Sequence, residues 1–519
     1  MRAESFSAGG RALWLSAVTL LGVGSTASGQ DVGYRGPSLL GAGPTTLTAL
    51  PSVTESKPES KVWYNDNFWW SSMWSASALE FRIHRLNMAT HAWVDSGVTV
   101  DSRADSHSDA LWDGTKLYIA SHEFATGVGM PGRQLLLMRY SYAPTTDTYS
   151  LDTDFPVVIG DSRTEAMVID KDSTGKIWAV WKQYARVYYA HSTSSDILWT
   201  KPAVLPPCTS NFNSDDICSV VRFGNRIGVM WSDQVLTNFF FTSHLDGAPD
   251  TDWSTVEVAL AGEADDHLHL EADAAGKVYA VVKNLANQTK LLVRSTTGVW
   301  QQYLVCDKGL NVTRGTMLLD EPAKKVHVFY TVGPSAQGGG IYKKTSALDN
   351  IVFDPTSIGT LIMQDGSGML INNASTTKQN VTAAMGQVIV SANTTQSGNY
   401  WHHEVPPVPT SGTLVLNAPS PGTAGVVNTF TVTGAPANTN VVFYAGLTQG
   451  TSVITRLSCP LGITIGIKPF IQIGSARANA SGVATLSLTP AASTAGKLYY
   501  FQATAPAACR ASNLVSDQL

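Results

Sequence analysis

Residues 176–181 read KIWAVW, a lysine after a glycine turn followed by alternating large and small apolar residues. This pattern is typical of a buried β-strand. Similar stretches recur along the chain: KVWYND from Lys61, KLYIAS from Lys116, RIGVMW from Arg226, KVYAVV from Lys277, KVHVFY from Lys325 and QVIVSA from Gln387. They lie about 48–62 residues apart, which is the period of a four-stranded propeller blade. Together they predict an all-β, seven-bladed β-propeller over residues 45–405, with six blades as the alternative.

The composition agrees with a large β-rich globular protein. The 519 residues include 44 Gly and 14 Trp, and only 14% are charged. The formal net charge of -5 provides no basic surface, which argues against nucleic acid and anionic membranes as partners. A neutral or locally recognised ligand fits this charge better, and we expect a monomer.

The first thirty residues have the pattern of a secretory signal. Arg2 and Arg11 precede an apolar run, and small residues before Gln30 offer a cleavage site. We therefore assign residues 1–29 to a signal peptide and expect a secreted, extracellular or cell-surface protein. Later apolar runs are too short for a membrane-spanning helix, so membrane insertion is not expected.

A proline-rich stretch, EVPPVPTSG, ends the repeats and begins a different composition. Residues 406–412 read as a linker. Residues 413–519 alternate apolar and small polar residues, as in NTFTVTGA and ATLSLTP, which predicts an antiparallel β-sandwich. This tail resembles the immunoglobulin-like modules of secreted bacterial proteins, a resemblance that implies adhesion, spacing or sorting and no catalysis.

Five cysteines in an exported chain suggest two disulfides and one free thiol. Cys208 and Cys218 bracket one polar loop, and Cys459 and Cys509 both lie in the tail. We predict a bond within each pair, which leaves Cys306 as a free, buried residue.

A second signature follows several of the repeated strands: an apolar run, Ser or Thr, a polar turn and then Trp, at Trp199, Trp253 and Trp300. In this respect residues 45–405 resemble the sialidase-like, BNR-repeat propellers, although none of the three Asp-box turns is complete. An Asp-box stabilises a turn, so the resemblance concerns the fold. Sialidases have six blades, whereas seven-bladed members of this class include polysaccharide lyases that cleave uronate-containing polymers. The resemblance implies recognition or cleavage of an extracellular acidic glycan.

Charged residues recur where the chain enters successive innermost strands, around the axis at which propellers usually bind ligands. The candidates from these loops are Asp109, Arg163, Glu165, Asp216, Asp266, His267, Arg314 and Lys378. The loops that leave the second strands add His122, Lys182 and Tyr184. Trp69 and Trp70 offer aromatic faces that could stack on sugar rings. In the alternative interpretation, each acid bonds backbone amides of a neighbouring blade, and the two tryptophans pack between blades.

Two catalytic hypotheses use these candidates. In a sialidase-like hydrolase, Arg163 and Arg314 would grip a carboxylate, and Glu165 or Asp266 would be the general acid. Arg103 and Tyr184 are the remaining candidates for such a site. In a polysaccharide lyase, Arg314 or Lys378 would neutralise a uronate carboxylate, while His267 or His122 would move a proton together with Tyr184.

A propeller that binds glycan or protein without chemistry is the third hypothesis. Convergence of the candidates in one pocket would favour an enzyme, whereas a scattered arrangement would favour binding. No metal or other cofactor is required by these hypotheses. The stretch ADDHLH, with His267 and His269 on one face of a strand, leaves Ca²⁺ bound through oxygen ligands as an option.

Overall fold

The computed structural model describes residues 30–40, 53–54, 58–125, 127, 130–208, 213–333, 339–395, 397–407, 413–456 and 459–519. Within these ranges the chain forms β-strands and three short 3₁₀ helices, η1 (Lys308–Leu310), η2 (Ala492–Thr494) and η3 (Pro506–Ala508). The predicted all-β class is confirmed. None of the helices in the described ranges is long and apolar enough to span a membrane. The predicted signal peptide, residues 1–29, lies outside the described residues.

Seven sheets follow one another up to Val405, and each has four strands in one path. The first strands of sheets one to seven are β2 (Val62–Asn65), β6 (Ser106–Trp112), β11 (Met167–Lys171), β15 (Cys218–Phe223), β19 (Ala264–Ala272), β23 (Val312–Asp320) and β27 (Ile371–Ser375). The second strands are β3 (Phe68–Ser75), β7 (Lys116–Glu123), β12 (Ile177–Gln183), β16 (Arg226–Asp233), β20 (Val278–Asn284), β24 (Lys325–Val332) and β28 (Gln387–Asn393).

The outer half of each sheet is also antiparallel. The third strands are β4 (Glu80–Asn87), β8 (Met130–Ala143), β13 (Arg186–His191), β17 (Asn238–Leu245), β21 (Thr289–Arg294), β25 (Gly340–Ala347) and β29 (Asn399–Val405). The fourth strands are β5 (Ala92–Asp101), β10 (Val157–Arg163), β14 (Ala203–Val204), β18 (Glu257–Leu260), β22 (Trp300–Cys306), β26 (Thr360–Met363) and, in sheet seven, β1 (Tyr34–Ser38). An extra strand, β9 (Thr148–Leu151), pairs with β8.

Strand β1 shows that sheet seven combines both ends of the repeat region. It pairs with β29, and Tyr34 lies opposite His402. The predicted domain start at residue 45 therefore leaves out one strand of the last sheet. The sequence YRGPS lacks the alternation of apolar residues that marks the other strands, because β1 is a partly exposed edge strand.

One of the repeated stretches is not equivalent to the others. KLYIAS, KIWAVW, RIGVMW, KVYAVV, KVHVFY and QVIVSA form second strands, whereas KVWYND forms the first strand of sheet one. The equivalent second strand is β3, with the sequence FWWSSMWS. Both β2 and β3 are buried throughout, so apolar pattern alone did not distinguish them.

Residues 413–519, the C-terminal unit, form three further sheets. One contains β30 (Val415–Leu416), β31 (Asn428–Thr433) and β36 (Ala484–Leu488), and a hairpin contains β33 (Gln449–Arg456) and β34 (Cys459–Ile467). The third contains β32 (Asn440–Gly446), β35 (Ile471–Arg477), β37 (Leu498–Ala505), β38 (Arg510–Ala511) and β39 (Val515–Gln518). Phe430, Phe443 and Phe501 belong to a buried apolar cluster that joins the first and third of these sheets.

The cysteines agree in part with the prediction. Cys459 and Cys509 form a disulfide, with their Cα atoms 5.5 Å apart. Cys306 is free and buried, as predicted. The predicted bond between Cys208 and Cys218 is wrong, because neither forms a disulfide, and both are buried in an apolar cluster between sheets three and four.

The C-terminal unit contacts the sheets at the turns where first strands end. Arg477 is partly buried and donates to the carbonyl oxygen of Gly114, at 3.3 Å, in the turn after β6. Burial lowers the pKa of Arg477, and the nearby Asp66 opposes this effect. Pro506 and Ala507 share a small cavity with Tyr64 and other residues of sheet one. The unit therefore packs against this side of the sheets.

We expect Arg477→Ala to weaken this packing by about 1–3 kcal/mol, because a charge-assisted contact is lost at a partly buried position. Small-angle scattering should show a larger radius of gyration for the variant. The control is Lys497→Ala, which removes an exposed charge of the same unit. An unchanged radius for Arg477→Ala would show that other contacts hold the unit in place.

Candidate functional site

First strands begin, and second strands end, on the same side of the sheets, because the two are antiparallel neighbours. We call this the upper side, and the side that contacts the C-terminal unit the lower side. Three first strands have an irregular register near their upper ends: β19 between Ala264 and Leu268, β23 between Thr313 and Thr316, and β27 between Asn372 and Ser375. Such bulges redirect side chains and are common beside functional sites.

Three carboxylates converge on the upper side. Oxygen atoms of Glu165, Asp215 and Asp266 lie within 4.8 Å of one another. Glu165 precedes β11, Asp215 precedes β15, and Asp266 lies in the irregular part of β19, so three successive sheets contribute one residue each. Glu165 and Asp266 are buried, whereas Asp215 is exposed. We call these three residues the carboxylate cluster.

His267 lies beside this cluster and is held in a fixed orientation. Its Nδ1 atom is 2.7 Å from Oδ1 of Asp265 and also contacts Asp266. Its Nε2 atom is 3.1 Å from the hydroxyl of Thr313. Nitrogen or oxygen atoms of Asp265, Asp266 and His267 also lie within 4.8 Å of one another, so the stretch ADDHLH does form a polar group. The proposed Ca²⁺ site there stays a prediction.

Two lysines provide positive charge near the carboxylates. Lys182 is buried and donates to the carbonyl oxygen of Ser214 at 2.7 Å, in the turn that carries Asp215. Burial lowers the pKa of Lys182, and the negative charges of Glu165 and nearby aspartates oppose this effect. Lys283 forms an ion pair of 3.1 Å with Asp265.

A second polar group, which the sequence did not reveal, lies between sheets one, two and three. Glu59 accepts a hydrogen bond from Lys61 at 2.7 Å and another from the backbone N–H of Met167 at 2.9 Å. His122 Nε2 lies 2.6 Å from the same carboxylate, and a ring nitrogen of His107 lies within 4.8 Å of polar atoms of both residues. His122 is 0% exposed, so the predicted role in proton transfer to a substrate is not available to it here.

Asp109 has a structural role. Its carboxylate is fully buried, accepts the backbone N–H groups of Ser60 at 2.8 Å and Ile169 at 2.7 Å, and forms an ion pair with Lys378 at 2.5 Å. The predicted ligand contacts of Asp109 and Lys378 are therefore replaced by contacts between sheets, as the alternative interpretation stated. Asp216 likewise accepts from Ser232 and from the backbone of Asn213 and Gln234.

The predicted aromatic surface is absent from the described part of sheet one. Trp69 and Trp70 are 0% and 1% exposed, and their indole N–H groups donate to the carbonyl oxygens of Met385 and Asn65. Both rings also make edge-type contacts with neighbouring tyrosine rings, and their burial leaves no face on which a sugar could stack. Because both tryptophans are buried, the structure favours the interpretation in which they pack between sheets.

The predicted arginines and tyrosine lie in three different segments of the fold. Arg163 faces Asp105, at 3.5 Å, and Glu123, at 3.8 Å, a carboxylate that also binds Arg133 at 2.6 Å. Tyr184 is 48% exposed in the turn between β12 and β13. Arg314 follows Thr313 in the irregular part of β23 and has a left-handed backbone, with a φ of 55°. The structure therefore joins Glu165, Asp266 and His267 and directs Arg163 elsewhere.

Comparison with known proteins identifies no family. No family model matches the chain, and no curated protein matches it. Similar solved structures include polysaccharide lyase Uly1, with 9% identity, 73% of this chain and 97% of that chain covered, and a TM-score of 0.41. The BP39L lectin from Burkholderia pseudomallei has 12% identity, coverage of 67% and 98%, and a TM-score of 0.41. A neuraminidase-like protein of subtype N11 from A/flat-faced bat/Peru/033/2010 has 11% identity, coverage of 56% and 86%, and a TM-score of 0.34.

We expect Asp109→Ala to lower the free energy of unfolding by about 3–5 kcal/mol, because it leaves the partly buried Lys378 and the backbone N–H groups of Ser60 and Ile169 without their partner. Denaturant titration measures the change. Asp105→Ala, at a half-exposed carboxylate of the upper side, should cost less than about 1 kcal/mol. Equal stability losses in the two variants would contradict the structural role of Asp109.

The contacts of Glu59 predict that the free energy of unfolding depends on pH. Burial opposes its ionisation, but the charges of Lys61 and His122 outweigh burial and lower its pKa from 4.5 to about 2. Its contribution is therefore complete above pH 4.5 and is lost as the pH falls toward 2. The difference in unfolding free energy between the native protein and Glu59→Gln should shrink over this range. A difference that does not change with pH would refute the ion-pair role.

Proposed function

We propose that this chain is a secreted, seven-bladed β-propeller with a C-terminal β-sandwich, and that it acts on or binds extracellular carbohydrate at the carboxylate cluster. The single observation that carries the functional part is the convergence of Glu165, Asp215 and Asp266 from three successive sheets, each at or just before the start of the first strand. Only 14% of the residues in this chain are charged. Because like charges repel, three neighbouring carboxylates do not stabilise the fold by themselves, and a bound ligand explains their convergence better.

The contacts between sheets support a closed ring. The first strand of each sheet contacts the first strand of the next, and β2 contacts β28 of sheet seven. The hydroxyl of Ser375, in β27, accepts the backbone N–H of Lys61 at 2.9 Å and donates to the carbonyl oxygen of Glu59 at 3.0 Å. Sheets one and seven are thus neighbours, as ring closure requires. The apolar cluster between two C-terminal sheets supports the sandwich in the same way.

Two further observations support the proposal: one concerns export of the protein, and the other concerns access to the carboxylate cluster. The disulfide between Cys459 and Cys509 is typical of proteins that fold in an oxidising compartment. The contacts of the C-terminal unit, at Gly114 and near Tyr64, are on the lower side. The upper side, with the exposed Asp215, is therefore on the other side of the sheets from this unit.

The carboxylates suit hydrolysis of a glycosidic bond. Retaining glycosidases place two carboxyl groups about 5–5.5 Å apart, one as acid and one as nucleophile. Oxygen atoms of Glu165 and Asp266 are within 4.8 Å, which is compatible with such a pair. Asp215 would bind a sugar hydroxyl from its exposed position. Because carboxylates outnumber the lysines that contact this region, a neutral glycan fits this site better than the acidic glycan expected from the sequence.

A binding protein without chemistry is the second candidate. It is favoured by the position of Arg163, which contacts Asp105 and the carbonyl oxygen of Phe124 instead of the carboxylate cluster. Of the two histidines that a lyase would use, only His267 lies at the carboxylate cluster. The exposed Tyr184 is in the turn after β12, where its ring lies beside that of Tyr188.

The test is incubation of the mature protein with neutral and acidic polysaccharides. Released reducing ends report hydrolysis, ultraviolet absorbance of unsaturated uronate reports a lyase, and calorimetry reports binding. We expect hydrolysis, reduced by about 10²–10⁴-fold in Glu165→Gln and in Asp266→Asn, because each removes a proton-transfer or nucleophilic group. Asp105→Asn is the matched control and should keep full activity.

The remaining outcomes separate the candidates. Binding without product release, weakened in Asp215→Asn and unchanged in Asp105→Asn, would support the binding protein. Uronate absorbance that depends on His267 would support a lyase and contradict the hydrolase. If no polysaccharide is bound or cleaved, the carbohydrate proposal is wrong.

A further inference from the structure

A cavity of about 580 Å³ opens between the outer strands of sheets six and seven. Its wall is formed by β25 and β26 of sheet six, by residues of the segment that joins these two strands, and by β29 of sheet seven. We call it the rim cavity. Its volume lies in the range of about 300–1,000 Å³ that pockets for small ligands have. The carboxylate cluster belongs to sheets three, four and five, so the rim cavity is a separate site.

Two basic side chains from different sheets line the rim cavity, Lys343 on β25 and His403 on β29. The Lys343 ammonium donates a hydrogen bond to Oε1 of Gln387, in β28, at 2.8 Å and lies 5.5 Å from the centre of the Phe329 ring. Its side chain therefore extends from sheet six toward sheet seven. An ammonium has three N–H donors, and the Gln387 oxygen uses one of them.

The charge of Lys343 lacks a carboxylate partner. Lys61 and Lys378 form ion pairs with Glu59 and Asp109, whereas none of the ion pairs in the described ranges includes Lys343. A partly buried ammonium without a counter-ion is costly, because burial removes water that would stabilise its charge. A bound anion would supply the missing negative charge.

The other charged groups of the cavity wall have partners of their own. Lys344 donates to the carbonyl oxygens of Val305 and Asp354, at 2.7 Å each. The Asp354 carboxylate is exposed and accepts the backbone N–H and the hydroxyl of Thr356 at 3.0 and 2.7 Å. The wall therefore presents Lys343 as the cation that is available to a ligand.

The surroundings of Lys343 are more positive than negative. Burial lowers the pKa of Lys343 to about 8, the charge of Lys325 in β24 lowers it further, and Asp320 at the end of β23 opposes both effects. Burial also lowers the pKa of His403 to about 4 and that of His327, in β24, to about 3. Both imidazoles are thus neutral at neutral pH, while most Lys343 side chains still carry a proton.

The rest of the wall is suited to the carbon skeleton of a ligand. Phe353, Leu361 and Ile362 line the rim cavity together with the hydroxyl-bearing Ser357 and Thr360. Small-molecule sites typically combine such apolar groups with a few polar ones that fix the orientation of the ligand. A ligand that has both an anionic group and a carbon skeleton matches this wall better than an inorganic ion does.

We propose that the rim cavity binds a small organic oxyanion, a carboxylate or a sulfate ester on a compact carbon skeleton. Its charged oxygen atoms accept hydrogen bonds from the Lys343 ammonium and from a ring N–H of the neutral His403, and the skeleton packs against Phe353 and Leu361. Hydrogen bonds between charged groups are stronger than those between neutral groups, so Lys343 dominates recognition. The proposal uses no residue of the carboxylate cluster and holds whether or not that cluster cleaves carbohydrate.

The test is calorimetric titration of the full mature chain at pH 7 with glucuronate and with glucose 6-sulfate, compared with glucose and acetate. We expect one molecule of at least one of the two sugar anions per chain, and the tighter one identifies the oxyanion. Glucose lacks the charge and acetate lacks the skeleton, so both should bind at least tenfold more weakly. Lys343→Met should weaken binding of the sugar anion by about 10–100-fold, because it removes a charge-assisted hydrogen bond. Lys324→Met, at a 71% exposed lysine of the same sheet, is the matched control and should bind as the native protein does.

The pH dependence provides a second measurement. A bound anion favours the protonated form of Lys343, so binding near pH 8 should take up protons, and affinity should fall by about tenfold per pH unit above pH 8. Titrations in two buffers of different ionisation enthalpy measure this uptake. It should disappear in Lys343→Met. Binding without proton uptake in the native protein would contradict a contact between the anion and Lys343.

Other results would overturn the proposal. If the native protein binds neither sugar anion, or if Lys343→Met binds them equally well, the rim cavity is not an anion site. Equal affinity for glucose would make it a neutral sugar site. If Glu165→Gln loses binding and Lys343→Met keeps it, the anion belongs to the carboxylate cluster. Should Lys343→Met not fold, acetylation of Lys343 in the native protein, followed by mass spectrometry, decides, because the bound sugar anion must slow it and leave Lys324 unaffected.

Discussion

The other features of the structure depend on the contacts that the buried carboxylate of Asp109 makes. It accepts backbone N–H groups from Ser60 and Ile169 and pairs with Lys378, so one side chain connects four sheets. Backbone groups near the axis have no sheet partner on their inner side, and leaving them unpaired in a buried position is costly. The carboxylate satisfies them and at the same time sets the spacing between neighbouring first strands. The positions of the polar groups above and below it follow from that spacing.

Packing first strands side by side has a chemical consequence at their upper ends. Residues that are about fifty positions apart in the sequence come within a few ångströms, as Glu165, Asp215 and Asp266 do. The irregular starts of β19, β23 and β27 turn side chains away from regular alternation at the same level. Regular alternation resumes further along β19 and places His269 and Glu271 in the wall of a cavity among the first strands. One strand thus contributes to two different polar sites.

The two sides of the sheets have different roles in the proposed protein. The lower side bears the C-terminal unit, which Arg477 and the residues around Pro506 connect to sheets one and two. The upper side bears the carboxylate cluster. This separation leaves the place where we propose that carbohydrate binds uncovered by the C-terminal unit.

The sequence by itself determined the all-β class, the repeated four-stranded sheets and the tail disulfide, because alternation and spacing are local properties of the chain. It also drew attention to Glu165, Asp266 and His267, since charge is rare in this chain, and their role in a site stays a prediction. Only the tertiary structure decided that Asp109 and Lys378 form an ion pair, that Trp69, Trp70 and His122 are buried, and that no disulfide joins Cys208 and Cys218. It also revealed the role of β1 in sheet seven and of Glu59 between sheets. The physical reason is that burial and partners depend on which distant segments become neighbours, and no local pattern records this.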